Sequence, residues 1–68
     1  MIRLQAERER RSWSKQRLSY EAHVAPQTIG QVELGNRKAY PAELARIAEA
    51  LGFTGEPAEL LEEVDSNA

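Results

Sequence analysis

The chain contains no cysteine and a single histidine. Neither disulfides nor thiolate zinc ligands can therefore supplement its core, and a structural zinc has no ligand set. No stretch approaches the roughly 18 apolar residues that a membrane-spanning helix needs. The N-terminal residues include Arg3, Glu7, Arg8 and Glu9, a composition unlike that of a secretory leader. These absences lead to the expectation of a cytoplasmic protein with no membrane partner. Enzyme machinery is missing too: there is no nucleophile–base pair, no metal cluster and no glycine-rich phosphate loop. The sequence offers no catalytic residue and calls for no cofactor.

What is present must fold from little material. A chain of 68 residues buries only roughly 60% of its unfolded surface, so its stability should amount to a few kcal/mol. Its formal net charge is −2, which on its own argues against nucleic acid. Position outweighs the sum. Residues 1–40 hold eight basic and four acidic side chains, a net of +4, whereas residues 41–68 hold one basic and seven acidic, a net of −6. Such a polarised molecule has one plausible anion-facing side, unless the charges merely cluster on two solvated faces.

The run Ser14–Gly35, SKQRLSYEAHVAPQTIGQVELG, organises the rest. Leu18, Ala22, Val24, Ile29 and Val32 are its apolar residues, and Pro26 forbids one continuous helix because it lacks an amide donor and clashes with the preceding turn. The same proline suits the first position of a new helix. Ser14 caps a helix ending near Ala22, His23 and Val24 form the turn, and a further helix runs from Pro26 to about Leu34. Two helices so joined, with small Ser19 where they cross, spell helix-turn-helix.

Around this unit a helix is predicted from about Ile2 to Arg11. Gly35 and Asn36 stop the third helix, and Arg37–Tyr40 is a basic loop. Pro41 opens a fourth helix whose Leu44, Ile47, Ala48 and Leu51 follow the helical period, ending at Gly52. A fifth is expected from Pro57 to about Val64. Residues 1–64 form one domain, and residues 65–68 are expected to be a flexible tail. No strand, repeat or linker is apparent.

The spacing of Arg8, Trp13-Ser14, Leu18, Val24, Thr28-Ile29, Val32-Glu33 and Gly35, followed by Leu44, Ile47-Ala48 and Ala50-Leu51-Gly52-Phe53, resembles the Cro and phage-repressor type of DNA-binding domain, the xenobiotic-response-element-like regulators. The resemblance runs without a gap from Leu4 to about Leu61. It implies an all-α, five-helix lambda-repressor-like fold with helices two and three as the helix-turn-helix.

In this motif the third helix lies in the major groove and its first residues meet base edges. Carried over position by position, the resemblance places base contacts on Ala25, Pro26, Gln27 and Gln31. Gln27 and Gln31 sit four apart on one face, and a glutamine amide matches the donor–acceptor pair of adenine; a good pair discriminates by roughly 1–3 kcal/mol. Ala25 and Pro26 suit a thymine methyl. Gly30, which costs about 1 kcal/mol inside a helix, is either a close approach to DNA or a tolerated defect.

Phosphate contacts are expected from Ser14, Lys15 and Arg17 at the start of helix two, from Thr28, and from Asn36, Arg37 and Lys38 after the reading helix. Lys15 and Arg17 carry the wrong charge for a helix N-terminus, a penalty that a docked phosphate would reverse. Arg10 or Arg11 would add a weaker contact. The resemblance further implies a structural salt bridge between Arg8 and Glu33, with the arginine's free edge turned to a phosphate.

The sequence departs from the family at three points. His23 stands where glycine is usual because the backbone there is left-handed, Glu7 stands where an apolar or small residue is usual, and Trp13 replaces a leucine and reads as core. Phe53, Leu60, Leu61 and Val64 offer either a dimer interface or core filling. The function expected is a sequence-specific, repressor-like regulator binding double-stranded DNA as a homodimer on a palindrome. The rival is a protein-interaction module, such as an antitoxin or anti-repressor, that uses the same fold on a protein partner.

Overall fold

The computed structural model describes residues 1–64, and the four C-terminal residues, expected above to be a tail, lie outside them. Four α-helices follow one another: α1 (Arg3–Arg10), α2 (Lys15–Ala22), α3 (Pro26–Leu34) and α4 (Pro41–Leu51). α2 packs on α3 and on α4. The bundle measures 29 × 23 × 22 Å.

Local chemistry accounts for most of the boundaries. The Ser14 side chain accepts from the Arg17 amide at 3.0 Å, satisfying one orphan donor of α2. His23 ends that helix in left-handed backbone, with φ 57°, as its place in the turn predicts. α3 closes in a Schellman turn: with Gly35 at φ 82°, its amide bonds the Val32 carbonyl at 3.1 Å and the Asn36 amide bonds Gln31 at 2.9 Å. Glu43, three residues into α4, accepts from the Tyr40 amide at 3.0 Å and caps that helix with a side chain from within.

α1 ends in the same manner but with a residue that gives no warning. Ser12 adopts φ 58°, its amide bonds Glu9 at 2.9 Å and the Trp13 amide bonds Arg8 at 3.1 Å. This turn delivers Trp13 to the side of the core and Ser14 to the start of α2.

The core gathers Leu4, Leu18, Ala22, Val24, Ile29, Val32, Ala39, Leu44, Ile47, Ala48, Leu51 and Leu60. α2, α3 and α4 each present an apolar stripe inward at the spacing the sequence carries, whereas α1 contributes only Leu4 and the paired Arg8. Trp13 is half-buried against this core rather than enclosed by it.

The C-terminal segment corrects one expectation. Residues Pro57–Leu61 form a 3₁₀ turn, not a fifth α-helix reaching Val64, and Glu62 is already extended. The reason lies in what the following backbone bonds. The Glu62 carbonyl accepts from the Arg3 amide at 2.7 Å, and the Val64 amide donates to the Met1 carbonyl at 2.9 Å. Ile2 and Glu63 thus make an isolated antiparallel bridge, and groups that a helix would have used internally tie the two ends of the domain together. Helix one accordingly begins one residue late, at Arg3.

The same packing removes Leu60 from the dimer candidates: it is fully buried in the core, and the 3₁₀ turn that bears it packs on α1 and α4. Phe53 and Leu61 are half-buried against that core, and Val64 is half-buried beside Met1.

Candidate nucleic-acid interface

α3 has two faces of different chemistry. Thr28, Ile29, Val32 and Glu33 point inward, while Ala25, Pro26, Gln27 and Gln31 are exposed. Both glutamine amides are thus presented to solvent, four residues apart on one ridge. Between them lies Gly30, where an added Cβ would meet no heavy atom within 4 Å. Nothing in the domain's own packing requires glycine there.

The inner face is held by a buried ion pair. Arg8 Nε donates to Glu33 Oε2 at 2.8 Å and Nη2 to Oε1 at 3.0 Å, a fork-to-fork arrangement. Nη1 donates to the Trp13 carbonyl at 2.7 Å. The guanidinium is thus engaged by Glu33 and the Trp13 carbonyl, with Glu9 Oε2 also 3.7 Å from Nη2, so that the edge expected to meet a phosphate is largely taken up by the domain itself. Hydrogen bonding to Glu33 raises the Arg8 pKa above its ordinary value, against the opposing effect of burial. The charged form is thus the one the fold stabilises.

Basic side chains stand in the chain before and after the helix that bears this ridge. Lys15 and Arg17 stand exposed at the start of α2, with Ser14; Asn36, Arg37 and Lys38 stand exposed in the loop after α3. Two of these are already engaged. Arg17 Nε lies 2.9 Å from Glu21 Oε2, with its guanidinium 4.9 Å from the Trp13 ring centroid. Arg37 reaches Glu43 at 3.3 Å, donates to Thr28 Oγ1 at 3.4 Å and lies 5.5 Å from the centroid of Tyr40. Thr28 itself is buried, so it positions Arg37 rather than standing out as a contact.

A chain with this ordering of helices, cap and turn matches the family model of the helix-turn-helix domain over residues 2–61. The chain belongs to that helix-turn-helix family. The match covers the region over which the sequence resembles the Cro and repressor type. Comparison with curated proteins and with solved structures gives no match.

Within this helix-turn-helix domain Glu7, the odd residue of α1, has a local role. It pairs with Arg10 at 3.1 Å and Arg11 at 2.7 Å, while Arg11 also bonds the Glu7 carbonyl at 2.8 Å. Arg11 is thereby drawn against α1 and Arg10 remains exposed. Among the described residues no group of three or more His, Cys, Asp or Glu could hold a metal, and no helix is long and apolar enough to cross a membrane.

Sequence reasoning missed Glu21, Glu43 and Tyr40 as neighbours of the phosphate candidates. For the first there was a signal: Arg17 and Glu21 are spaced four apart on α2, the interval at which helical side chains meet. For Glu43 and Tyr40 there was none, because the contact closes across a loop.

Proposed function

We propose that this domain is a sequence-specific, repressor-like regulator of transcription, a binding protein rather than an enzyme, that lays α3 in the major groove of double-stranded DNA. The observation that carries this reading is the exposed pair Gln27 and Gln31 on the outer ridge of α3, bracketed in the chain by Lys15 and Arg17 before it and Arg37 and Lys38 after it. Glutamines read base edges and the basic groups meet phosphates. Ala25 and Pro26 give apolar contact beside them, and the open space at Gly30 lets the backbone approach the groove. Ser14 and Asn36 complete the phosphate contacts.

One reading helix spans only a few base pairs. A homodimer on a palindrome, with half-sites about one helical turn (~34 Å) apart, supplies the missing specificity. With Leu60 in the core, the half-buried Phe53, Leu61 and Val64 are what that end of the domain has left for a second copy.

Selection of bound duplexes from a random pool, followed by titration of the winner against salt, tests the reading. A palindrome and a slope near −5 per monomer, from about six phosphates, support it. No enrichment and a flat response overturn it in favour of a protein-interaction module. That second reading draws on the exposed Leu34 and Tyr40, 71% and 67% accessible, which place apolar surface beside the same face.

A further inference from the structure

The two arginines that flank the reading helix are built alike. Arg17 lies over the ring of Trp13 at 4.9 Å and pairs with Glu21 at 2.9 Å. Arg37 lies over the ring of Tyr40 at 5.5 Å and pairs with Glu43 at 3.3 Å. In each case an aromatic face carries the guanidinium and a carboxylate from the start or end of a helix holds it. Lys15 and Lys38, the neighbouring cations, make no ion pair among the described residues. The repetition is not forced by the backbone, since the first triad joins the turn before α2 to a pair on α2 itself and the second closes across the loop before α4.

The two glutamates are held differently. Glu21 stays within reach of Arg17 because both sit on α2, one turn apart, and Glu43 is also bonded to the Tyr40 amide at 3.0 Å as the cap of α4. The arginines, by contrast, are exposed over much of their side chains, 54% for Arg17 and 39% for Arg37. A phosphate can therefore take a guanidinium from its carboxylate without moving the helix that bears the carboxylate. The aromatic ring keeps the cation in place during the exchange, because a stacked guanidinium can offer its edge to either anion.

We infer that Glu21 and Glu43 are internal competitors for DNA phosphate: they throttle the domain's DNA affinity through Arg17 and Arg37, which Trp13 and Tyr40 hold ready for the exchange. This rests on the DNA-binding reading above. It adds that the affinity is set below what the basic residues alone would give. Weakened phosphate contact matters to a small reader of DNA, since phosphate affinity is common to all sequences and a high value traps the protein off its site.

The test is a pair of double-mutant cycles on the intact chain, read by fluorescence anisotropy on a short labelled duplex of randomised sequence. E21Q and E43Q keep shape and hydrogen-bonding capacity, and glutamine is an accepted partner in the helix-capping position of Glu43. Each is expected to tighten binding by about two- to fivefold, the worth of an exposed ion pair. In R17A and R37A backgrounds respectively, the same substitutions are expected to do nothing. Y40F is expected to bind like the native chain and Y40L more weakly, a difference that a merely structural role for this exposed residue would not produce.

If E21Q or E43Q tightens binding equally in the arginine-free background, the glutamates act by direct repulsion and the inference fails, while the DNA reading stands. No tightening by either variant in a protein that binds DNA has the same consequence. A native chain that binds no duplex at any salt concentration overturns the inference and the DNA reading together.

Discussion

Arg8 on α1 and Glu33 on α3 meet through two parallel hydrogen bonds of 2.8 and 3.0 Å, and both side chains are almost wholly enclosed. The pair ties the first helix to the back of α3, so that the outward ridge of Gln27 and Gln31 has a fixed orientation relative to the rest of the domain. The partners stand 25 positions apart in the chain, and the segment between them includes the whole of α2, which makes this contact a clasp around the helix-turn-helix.

Removing one partner should be far worse than removing both. Arg8→Met leaves a buried carboxylate without its cation, a loss of about 3–5 kcal/mol, which is most of what a domain of this size possesses. The double variant Arg8→Met/Glu33→Leu should be more stable than either single change. Urea unfolding followed by the fluorescence of Trp13, the only tryptophan, measures this. Double-variant stability no better than the worse single would refute the clasp. Because the Arg8 pKa is raised, its contribution is fully present below the ordinary arginine range and is lost only as pH climbs above it. Arg8 itself therefore adds no pH dependence near neutrality.

His23 holds left-handed backbone at φ 57° while exposed to solvent. For an L-residue this costs about 1–2 kcal/mol, and glycine returns about 0.5–1 kcal/mol of that in lost chain entropy. His23→Gly should thus stabilise the domain by about 0.5–1 kcal/mol, raising Tm by about 2–8 °C. Ser12→Gly should act in the same direction at φ 58°. Calorimetry that finds either variant less stable would contradict this account of the turns.

Gln27→Ala and Gln31→Ala should relax sequence preference, by about 1–3 kcal/mol at the base each one reads, with little change on random duplex. Lys38→Ala should weaken binding to every sequence alike and reduce the salt slope by about one. Identical behaviour of the glutamine and lysine variants on selected and random duplex would contradict this division of roles.

Leu60→Ala should cost about 2–5 kcal/mol by opening a cavity between the terminal 3₁₀ turn, α1 and α4. The loss should be the same at every protein concentration, because the side chain is fully buried within one chain. A destabilisation that vanishes on dilution would return Leu60 to an interface between copies.

The order of the four helices, the cap at Ser14, the turn at His23, the stop at Gly35 and the inward stripe of α4 were all legible in the sequence. Each depends on interactions within one turn of helix or on the period of its apolar residues, and such interactions are local. The left-handed backbone of His23 and the Arg8–Glu33 pair were legible only through the family resemblance, since nothing in the spacing of residues 25 apart specifies a contact. The same limit explains the errors. Proline, leucine and glutamate from Pro57 onward have the composition of a helix, and only the presence of Met1–Arg3 alongside turns that segment into a 3₁₀ turn and a bridge.

The site divides in the same way. Sequence alone determined which residues face outward on the reading helix, because the 3.6-residue period leaves Gln27 and Gln31 opposite Ile29 and Val32. It also determined that the basic residues cluster in the first 40 positions. Only the tertiary structure decided which of those cations are spoken for. Arg8 is turned inward and Arg11 is held by Glu7, while Arg17 and Arg37 rest between an aromatic ring and a carboxylate. Charge sign is a property of the residue, but the partner of a charge is fixed by which helices pack together.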